Sequence, residues 1–245
     1  MALAVFSDVH GNLPALDAVL SDIKRQHVDA VYCLGDLVGY AAFPNEVIER
    51  IRAAEIPTVM GNYDDGIGFD RDECGCAYRE ARDRELGEWS LAWTKAHTTA
   101  ENKAFLRALH RELRLDVNGM RVLLVHGSPR KMNEYLFEDR PLSSFQRLAA
   151  SSNADVIVYG HTHRPYTKEV NNVLFVNVGS VGKPKDGDWR ACYAVLEPGA
   201  LEPVRFVRLE YDIQTVTQAI RQSDLPDEFA TDLERGGAHA ADAVD

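Results

Sequence analysis

Seven side chains able to bind a metal ion follow short apolar runs of the sequence, and glycines adjoin most of them. Taken singly, an aspartate after a strand is a turn former and a lone histidine is a structural residue. Turn formation alone does not explain why carboxylate, amide and imidazole side chains stand at five separate strand ends. In open α/β sheets, binding and catalytic sites form at the carboxyl ends of strands. The sequence therefore predicts a metal site, with candidate ligands Asp8, His10, Asp36, Asn62, His126, His161 and His163.

The mixture of ligand types indicates which metals would bind. Four imidazoles, two carboxylates and one amide suit borderline divalent ions, with Mn²⁺ expected first and Fe²⁺, Ni²⁺, Zn²⁺ or Co²⁺ as alternatives. Mg²⁺ and Ca²⁺ prefer oxygen ligands and would not need so much nitrogen. Seven ligands are too many for one tetrahedral ion, so we expect two divalent ions that share one carboxylate. Their charge would outweigh the two carboxylates and make the pocket locally positive.

The elements that must position these side chains can be read from apolar patterning. Runs of four or five residues that stop at turn residues are typical of buried strands. Amphipathic spacing predicts helices between the early runs, and this alternation indicates α/β architecture. The predicted strands cover 3–6, 30–34, 57–60, 122–125, 156–159 and 174–178. The predicted helices cover 13–26, 45–55 and 212–222, with a longer stretch over 77–110 that is broken near Gly87 and 98–100.

Turn signals separate further strand pairs in the second half of the chain. Asn118-Gly119 is a strong hairpin signal, and Asn171-Asn172 and Pro198-Gly199 lie between other strand pairs. The candidate ligands span residues 8 to 163, so one domain must assemble them. We predict a single domain over residues 1–223 and an acidic, Ala- and Gly-rich, solvated tail over residues 224–245.

Composition limits the partners. Of 245 residues 45% are apolar, which allows a sizeable core, and the formal net charge of −11 disfavours bulk binding to nucleic acid or anionic membranes. No apolar run approaches the ~20 residues of a membrane helix, and no signal peptide is evident. We therefore expect a cytoplasmic protein whose partner is a small molecule.

Four cysteines are present. Cys33 and Cys192 lie in apolar runs, where a thiol behaves as a small hydrophobe. The Cys74-Gly75-Cys76 pair has no second pair at zinc-site spacing, so a structural or neutral role is expected, with metal binding or redox activity as alternatives.

The candidate ligands lie in recognisable blocks. Five of them resemble the signature blocks of the calcineurin-like metallophosphoesterase superfamily: Asp8-Val-His10-Gly11-Asn12, Gly35-Asp36, Gly61-Asn62-Tyr63-Asp64, His126-Gly127 and Gly160-His161-Thr162-His163. Residues 177–184, together with Gly39-Tyr40 and 44–46, resemble further blocks of its small single-domain prokaryotic phosphodiesterase branch.

This resemblance implies a four-layer α-β-β-α sandwich of two mixed sheets. It also implies that Asp8, His10 and His163 hold one metal, that Asn62, His126 and His161 hold the other, and that Asp36 bridges the two. A hydroxide between the metals would then attack phosphorus in line with the leaving group, on a phosphoryl group that the metals polarise.

One position departs from the resemblance. Superfamily members that cleave monoesters have histidine where this chain has Tyr63, and that histidine protonates the leaving group with help from the acidic residue that follows, here Asp64. Tyrosine, with a reference pKa of about 10, is a poor acid at neutral pH. The departure favours phosphodiesters, of cyclic or nucleotide type, as substrates. The alternative for Tyr63 is that it only lines the pocket.

Other functions stay open at this point. A phosphomonoesterase, a dinucleoside polyphosphate hydrolase or a non-catalytic scaffold of the same fold are the alternatives. Asn12, Tyr40 and Asn45 are candidate substrate contacts. Paired subunits are common in this branch, and the helices over 77–110 are a candidate interface for a homodimer.

Overall fold

The strands form two sheets, seen in a computed structural model that describes residues 1–77 and 80–237. The strands are β1 Leu3–Phe6, β2 Ala30–Cys33, β3 Leu113–Val117, β4 Met120–Leu124, β5 Val156–Tyr159, β6 Tyr166–Val170, β7 Val173–Asn177, β8 Ala191–Leu196 and β9 Val204–Leu209. The helices are α1 Leu13–Ile23, α2 Pro44–Ala53, α3 Asn62–Gly68, α4 Ala81–His97, α5 Ala100–Arg107, α6 Leu142–Ser152, α7 Ile213–Arg221 and α8 Glu228–Glu234.

Both sheets are mixed, as the resemblance implied. The first has the order β2-β1-β8-β9, with β1 parallel to β2 and antiparallel to β8. The second has the order β3-β4-β5-β7-β6, in which β4, β5 and β7 run parallel between antiparallel edge strands. The five strands that precede the candidate ligand loops or the block at 177–184 are therefore the parallel members of the two sheets.

Alternation along the strands separates the layers. In β1, Leu3 and Val5 lie in a core shared with residues of the second sheet, while Ala4 and Phe6 lie in a core shared with α1 and α2. Residues of β5 and β7 alternate in the same way, and Phe145 and Leu148 of α6 pack on the outer face of the second sheet. The result is the predicted order of helix, sheet, sheet and helix.

Backbone hydrogen bonds join the carboxyl ends of the strands. Asp8 N donates to Gly35 O at 2.9 Å and Gly160 N donates to His126 O at 2.9 Å, so each pair of loops stays in register within its own sheet. Between the sheets, Val181 N donates to Ser7 O at 2.9 Å. All the ligand-bearing loops are thus held at one end of the sandwich.

Most predicted elements are present, with local differences. The hairpins at Asn118-Gly119 and Asn171-Asn172 are confirmed. The predicted strand at 57–60 is wrong as a full strand, because only Thr58 and Val59 form isolated bridges before the chain turns into α3. The predicted helix break at Gly87 is also wrong: α4 runs through it, since the cost of one glycine, about 1 kcal/mol, is offset by burial of that helix face.

The predicted solvated tail is wrong for residues 224–237. Helix α8 packs on α7 and on Ala41, with Leu225, Phe229 and Leu233 buried at four-residue spacing. The surrounding Ala, Asp and Gly dilute this pattern in the sequence. Residues 238–245 lie outside the described residues. Within the described ranges no helix has the length and apolar character needed to cross a membrane.

Candidate metal centre

The loops that carry the candidate ligands use an uncommon backbone conformation. Five of the ligand residues have positive φ, which few non-glycine residues adopt and which asparagine, aspartate and histidine tolerate best. They are Asp8 at 56°, His10 at 49°, Asp36 at 53°, His161 at 63° and His163 at 61°. Each such residue costs about 1–3 kcal/mol, and such strain clusters at functional sites. It turns successive side chains of a loop toward one point.

Two glycines allow these loops to touch. A Cβ at Gly61 would lie 2.1 Å from Asp36 Oδ1, and a Cβ at Gly160 would lie 2.4 Å from Asp8 Oδ2. Both distances are far inside van der Waals contact, so no larger residue fits at either position. The glycines let neighbouring backbone approach the two carboxylates.

The first group of ligands contains Asp8, His10 and His163. His163 Nε2 lies 3.2 Å from Asp8 Oδ1 and 3.2 Å from His10 Nε2. His10 Nε2 lies 3.8 Å from the same Asp8 oxygen. One ligand atom from each residue lies within 4.8 Å of the others, which is close enough for all three to hold one ion.

The second group contains Asp36, His126 and His161, with Asn62 beside it. His126 Nε2 lies 3.1 Å from Asn62 Oδ1 and 3.4 Å from Asp36 Oδ2. The rings of His126 and His161 have centroids 5.0 Å apart. The three titratable members again place their ligand atoms within 4.8 Å of one another.

Asp36 stands between the two groups. Its Oδ2 lies 3.6 Å from His10 Nε2 of the first group and 3.4 Å from His126 Nε2 of the second. Its other oxygen accepts a hydrogen bond from Tyr63 N at 2.8 Å, which fixes the carboxylate plane. This is the position in which one carboxylate can serve two ions.

Backbone carbonyls orient three of the imidazoles. His10 Nδ1 contacts Val38 O at 3.0 Å, His126 Nδ1 contacts Leu34 O at 2.8 Å, and His163 Nδ1 contacts Lys183 O. A carbonyl can only accept, so each Nδ1 carries a hydrogen and each Nε2 faces the centre. Bonds of this kind fix the tautomer and raise the basicity of a metal-binding imidazole.

The electrostatics of the centre suit a cation. Burial lowers the pKa of His10 to about 3, although Asp36 opposes this shift, and burial lowers the pKa values of His161 and His163 well below the usual range. These imidazoles are neutral. Asp8 Oδ1 and His161 Nε2 are buried and form no hydrogen bond with the part of the chain that the structure describes. Unsatisfied buried groups of this kind are costly, and a metal ion would satisfy both.

His126 behaves differently from the other three histidines. Burial is the largest single influence and lowers its pKa, but the charge and hydrogen bond of Asp36, with the Asp8 charge and the Leu34 carbonyl, together raise the pKa of His126 to about 10. In the same pair, burial is the largest influence and raises the pKa of Asp36, but the charge and hydrogen bond of His126, together with the charge of His10, lower that pKa overall. Without a metal, the pair therefore holds one proton that a bound cation would displace.

Tyr63, predicted as a catalytic or pocket-lining residue, lies beside the first group but is only 1% exposed. Its ring packs edge-on against His10, with centroids 5.4 Å apart, and against Gly39, where a Cβ would lie 2.4 Å from the ring. The packing supports the lining role, because a buried ring in van der Waals contact with a ligand sets that ligand's position.

Asp64 was predicted to orient the residue before it, and the structure gives it other contacts. Asp64 Oδ2 accepts hydrogen bonds from Asp36 N at 2.8 Å and Gly61 N at 2.9 Å, and its Oδ1 accepts one from Leu37 N at 2.9 Å. Burial and then the Asp36 charge raise the pKa of Asp64 to about 7, against these three donors. Asp64 therefore ties the loop after β2 to the start of α3.

Two of the three predicted substrate contacts are occupied by structural hydrogen bonds. Asn12 is fully buried, and its Nδ2 donates to Gly182 O at 3.0 Å and Tyr211 Oη at 3.2 Å. Asn45 Nδ2 donates to His97 O at 2.7 Å, which ties α2 to the end of α4. The structure does not support a substrate role for either residue.

Tyr40, the third predicted contact, does lie at the centre. Its ring is 5.0 Å from His10 and 4.9 Å from Tyr63, centroid to centroid. The ammonium of Lys183 lies 4.8 Å from the Tyr40 ring and 3.4 Å from Asp232, one of the residues in the unpredicted helix α8. Helix α8 therefore braces one wall of the centre through Lys183.

The sequence did not predict the residues that cover the second ligand group, here called the roof: Gly75, Cys76, Asn133 and Tyr135. The Tyr135 ring lies 4.1 Å from the His161 ring, and Asn133 Nδ2 donates to Gly75 O at 2.7 Å. Asn62 Nδ2 donates to Cys76 Sγ at 3.2 Å. Because none of these residues follows a strand, only the fold brings them over the centre, where every candidate ligand is at most 3% exposed.

Lys185 was also missed. Its side chain is half-buried, and it has no ion-pair partner among residues 1–77 and 80–237. Its charge contributes to the lowered pKa values of His161 and His163, and burial lowers its own pKa. Arg164 Nε holds the backbone of this residue through a 2.8 Å bond to Lys185 O. The one sequence signal was its place directly after the block at 177–184.

Comparisons with known proteins agree with this geometry. The family model of the calcineurin-like phosphoesterase superfamily domain matches residues 1–200. A protein of Methanocaldococcus jannaschii known as MJ0912 is 34% identical over 92% of this chain and 94% of its own. The phosphodiesterase YfcE of Escherichia coli K12 is 26% identical over 83% of this chain and 91% of its own. The crystal structure of a metallophosphoesterase from Sphaerobacter thermophilus superposes with a TM-score of 0.76, at 31% identity over 96% of this chain and 99% of that one.

The substitution Asp64→Asn distinguishes a structural role for Asp64, as an acceptor of backbone hydrogen bonds, from the predicted role of orienting Tyr63. The amide presents an NH₂ group to backbone donors, so we expect the free energy of unfolding to fall by about 1–3 kcal/mol. Urea denaturation in the presence of a chelator measures this, with the exposed Asp72→Asn as the matched control. Unchanged stability combined with lost hydrolysis would instead support the orienting role.

Proposed function

The chain belongs to the calcineurin-like phosphoesterase superfamily and is a metal-dependent phosphoester hydrolase, and we propose that it is a two-metal phosphodiesterase acting on small diesters. The observation that carries the proposal is the Asp36 carboxylate between two buried ligand groups. A centre that holds two ions side by side is suited to clamping a phosphoryl group.

The proposed ligands are the seven residues described above. Asp8, His10 and His163 would hold the first ion, Asn62, His126 and His161 the second, and Asp36 both. When bound, two divalent ions neutralise charge on a phosphoryl group and lower the pKa of a coordinated water. Mn²⁺ is the ion we propose first, with Fe²⁺, Ni²⁺, Zn²⁺ or Co²⁺ as the alternatives that the nitrogen-rich ligand set allows.

The chain's own groups prepare the centre for this chemistry. The backbone bonds to Nδ1 fix the ring orientation so that Nε2 points inward, and little reorganisation of the rings accompanies metal binding. The roof of Tyr135 and Cys76 excludes bulk water and lowers the local dielectric, which strengthens each charge interaction with the substrate.

We propose that Lys185 binds a phosphoryl oxygen. Its charge lowers the pKa values of two ligand histidines, and it forms no ion pair with a carboxylate among residues 1–77 and 80–237, although the charges of Asp8 and Asp232 act on it. A lysine acts as a compact point charge toward phosphate. In an acidic protein it would supply cationic charge beside the metals.

The preference for diesters follows from position 63. The hydrophobic packing of Tyr63 against His10 leaves a buried phenol where a general acid would stand. Losing a general acid typically costs about 10²–10⁴ in rate, most for poor leaving groups. The relative YfcE carries the name phosphodiesterase, which supports the same class of substrate for this chain.

We also propose a cytoplasmic location and a homodimer. A cytoplasmic location fits four cysteines of which none forms a disulfide. A homodimer through α4 fits Trp89, a residue of that helix that is 51% exposed. Sedimentation of the purified protein measures this directly, and a monomer at micromolar concentration would exclude a stable dimer.

Ligand variants test the two ion sites. Wild-type protein should bind two Mn²⁺ per chain, while His163→Ala and His126→Ala should each bind about one, because each removes one ligand of a different group. Equilibrium dialysis followed by elemental analysis counts the ions. The exposed His27→Ala is the control and should keep both; a wild-type stoichiometry of one would contradict the proposal.

Paired substrates test the reaction class. With Mn²⁺, kcat/KM for bis(p-nitrophenyl) phosphate should exceed that for p-nitrophenyl phosphate. Tyr63→His should raise hydrolysis of a nucleoside monophosphate, recovering part of the ~10²–10⁴ that a general acid contributes. Tyr63→Phe, which removes only the hydroxyl, should change neither activity. A monoester preference in the wild type would overturn the proposal.

Lys185→Gln tests the phosphoryl contact. Loss of a charged hydrogen bond worth about 1.5–3 kcal/mol should lower kcat/KM about 10- to 100-fold, and Lys185→Arg should retain most of the activity. The exposed Lys24→Gln is the charge-matched control. An unchanged kcat/KM in Lys185→Gln, with Mn²⁺ stoichiometry intact, would show that this lysine does not touch substrate.

A further inference from the structure

The Cys74-Gly75-Cys76 segment forms part of the roof and is not used by the proposed reaction. The two sulfur atoms lie 3.1 Å apart, and no disulfide joins them. Both residues are half-buried and line a surface cavity of about 370 Å³, which has room for a small oxidant. Cys33 and Cys192, by contrast, are fully buried.

The backbone between the two thiols favours closure. Gly75 has φ +69°, a left-handed conformation that favours glycine, and its carbonyl accepts a hydrogen bond from Asn133 Nδ2 at 2.7 Å. The turn places both side chains on one side of the chain. A disulfide has an S–S length of about 2.05 Å, so the sulfurs need to approach by only about 1 Å.

The Asn62 side chain connects this cysteine pair to the second ligand group. Asn62 donates from Nδ2 to Cys76 Sγ at 3.2 Å, and its Oδ1 lies 3.1 Å from His126 Nε2. The Tyr135 hydroxyl is also hydrogen-bonded to Cys76, while its ring covers His161. Movement of Cys76 toward Cys74 would therefore release both the amide of a proposed ligand and the roof above another.

A thiolate metal site is the competing use of two cysteines. Within the described residues, two groups of three or more His, Cys, Asp or Glu residues could hold an ion, and neither contains a cysteine. The geometry favours redox chemistry.

We propose that Cys74 and Cys76 are a redox-active thiol pair that hydrogen peroxide, or a small disulfide such as oxidised glutathione, converts to an intrachain disulfide. With peroxide, one sulfur attacks an oxygen, the O–O bond breaks, and a sulfenic acid and water form. The second sulfur then attacks the sulfenic sulfur and displaces hydroxide, which takes the remaining thiol proton to give a second water. Two thiols are oxidised and one peroxide is reduced. With oxidised glutathione, one thiolate attacks the disulfide and releases one glutathione thiol, and the second thiolate then attacks the mixed disulfide and releases the other, so one glutathione disulfide is reduced.

Disulfide formation is tested on the full-length protein without reference to activity. After equilibration in glutathione buffers, alkylation and peptide mass spectrometry should show a two-electron transition on the peptide with residues 74 and 76, reversed by dithiothreitol. Cys74→Ser and Cys76→Ser should each abolish it, and Cys192→Ser should leave it unchanged. Alkylation of both thiols at every buffer ratio would overturn the proposal.

Mn²⁺ binding tests the link to the centre. The oxidised protein should bind its second Mn²⁺ about tenfold more weakly than the reduced protein, the low end for loss of a group that orients a ligand. Hydrolysis of bis(p-nitrophenyl) phosphate should fall with it, a readout that rests on the proposed function. A disulfide with unchanged Mn²⁺ affinity would overturn the link. A redox-dependent Mn²⁺ affinity in a protein inactive on every diester would instead uphold the switch and overturn the diesterase.

Discussion

The burial of two carboxylates, Asp8 and Asp36, in one small centre is the constraint on which the rest of the structure depends. Asp8 lies among imidazoles whose pKa values burial has lowered, and Asp36 shares a single proton with His126. Buried charge without compensation is expensive, so a site of this composition is stable only with a partner of opposite charge. Bound divalent ions are the partner that fits both the ligand types and their spacing.

The backbone is arranged to keep that centre in place before any ion arrives. Positive φ angles at the strand ends are strained, and interloop hydrogen bonds hold them. Asp64 accepts three backbone donors, while Ser180 Oγ donates to Asp8 O at 2.8 Å. The two sheets and their helices are the rigid elements, and the strained loops position the candidate ligand side chains. Preorganisation of this kind limits the reorganisation needed when charge develops in a reaction.

The sequence was most informative where residue type and strand ends coincide. The seven candidate ligands and the parallel strands before them could be predicted because aspartate, asparagine and histidine next to glycine mark such loops. Asn12 and Asn45, predicted as substrate contacts, cap α1 and tie α2 to α4, and the sequence does not separate these uses because both draw on the same amide chemistry. Cys76, Tyr135 and Lys185 come from loops whose paths depend on tertiary packing. The burial of Phe229 was likewise hidden, because a short helix in an Ala- and Asp-rich segment has little local pattern.

The central claim is that this chain binds two ions through one shared carboxylate. Anomalous diffraction at the manganese edge, from crystals grown with Mn²⁺, tests it most directly. We expect two peaks, one among Asp8, His10 and His163 and one among Asn62, His126 and His161, both in contact with Asp36. A single peak, or two peaks of which one does not touch Asp36, would contradict it.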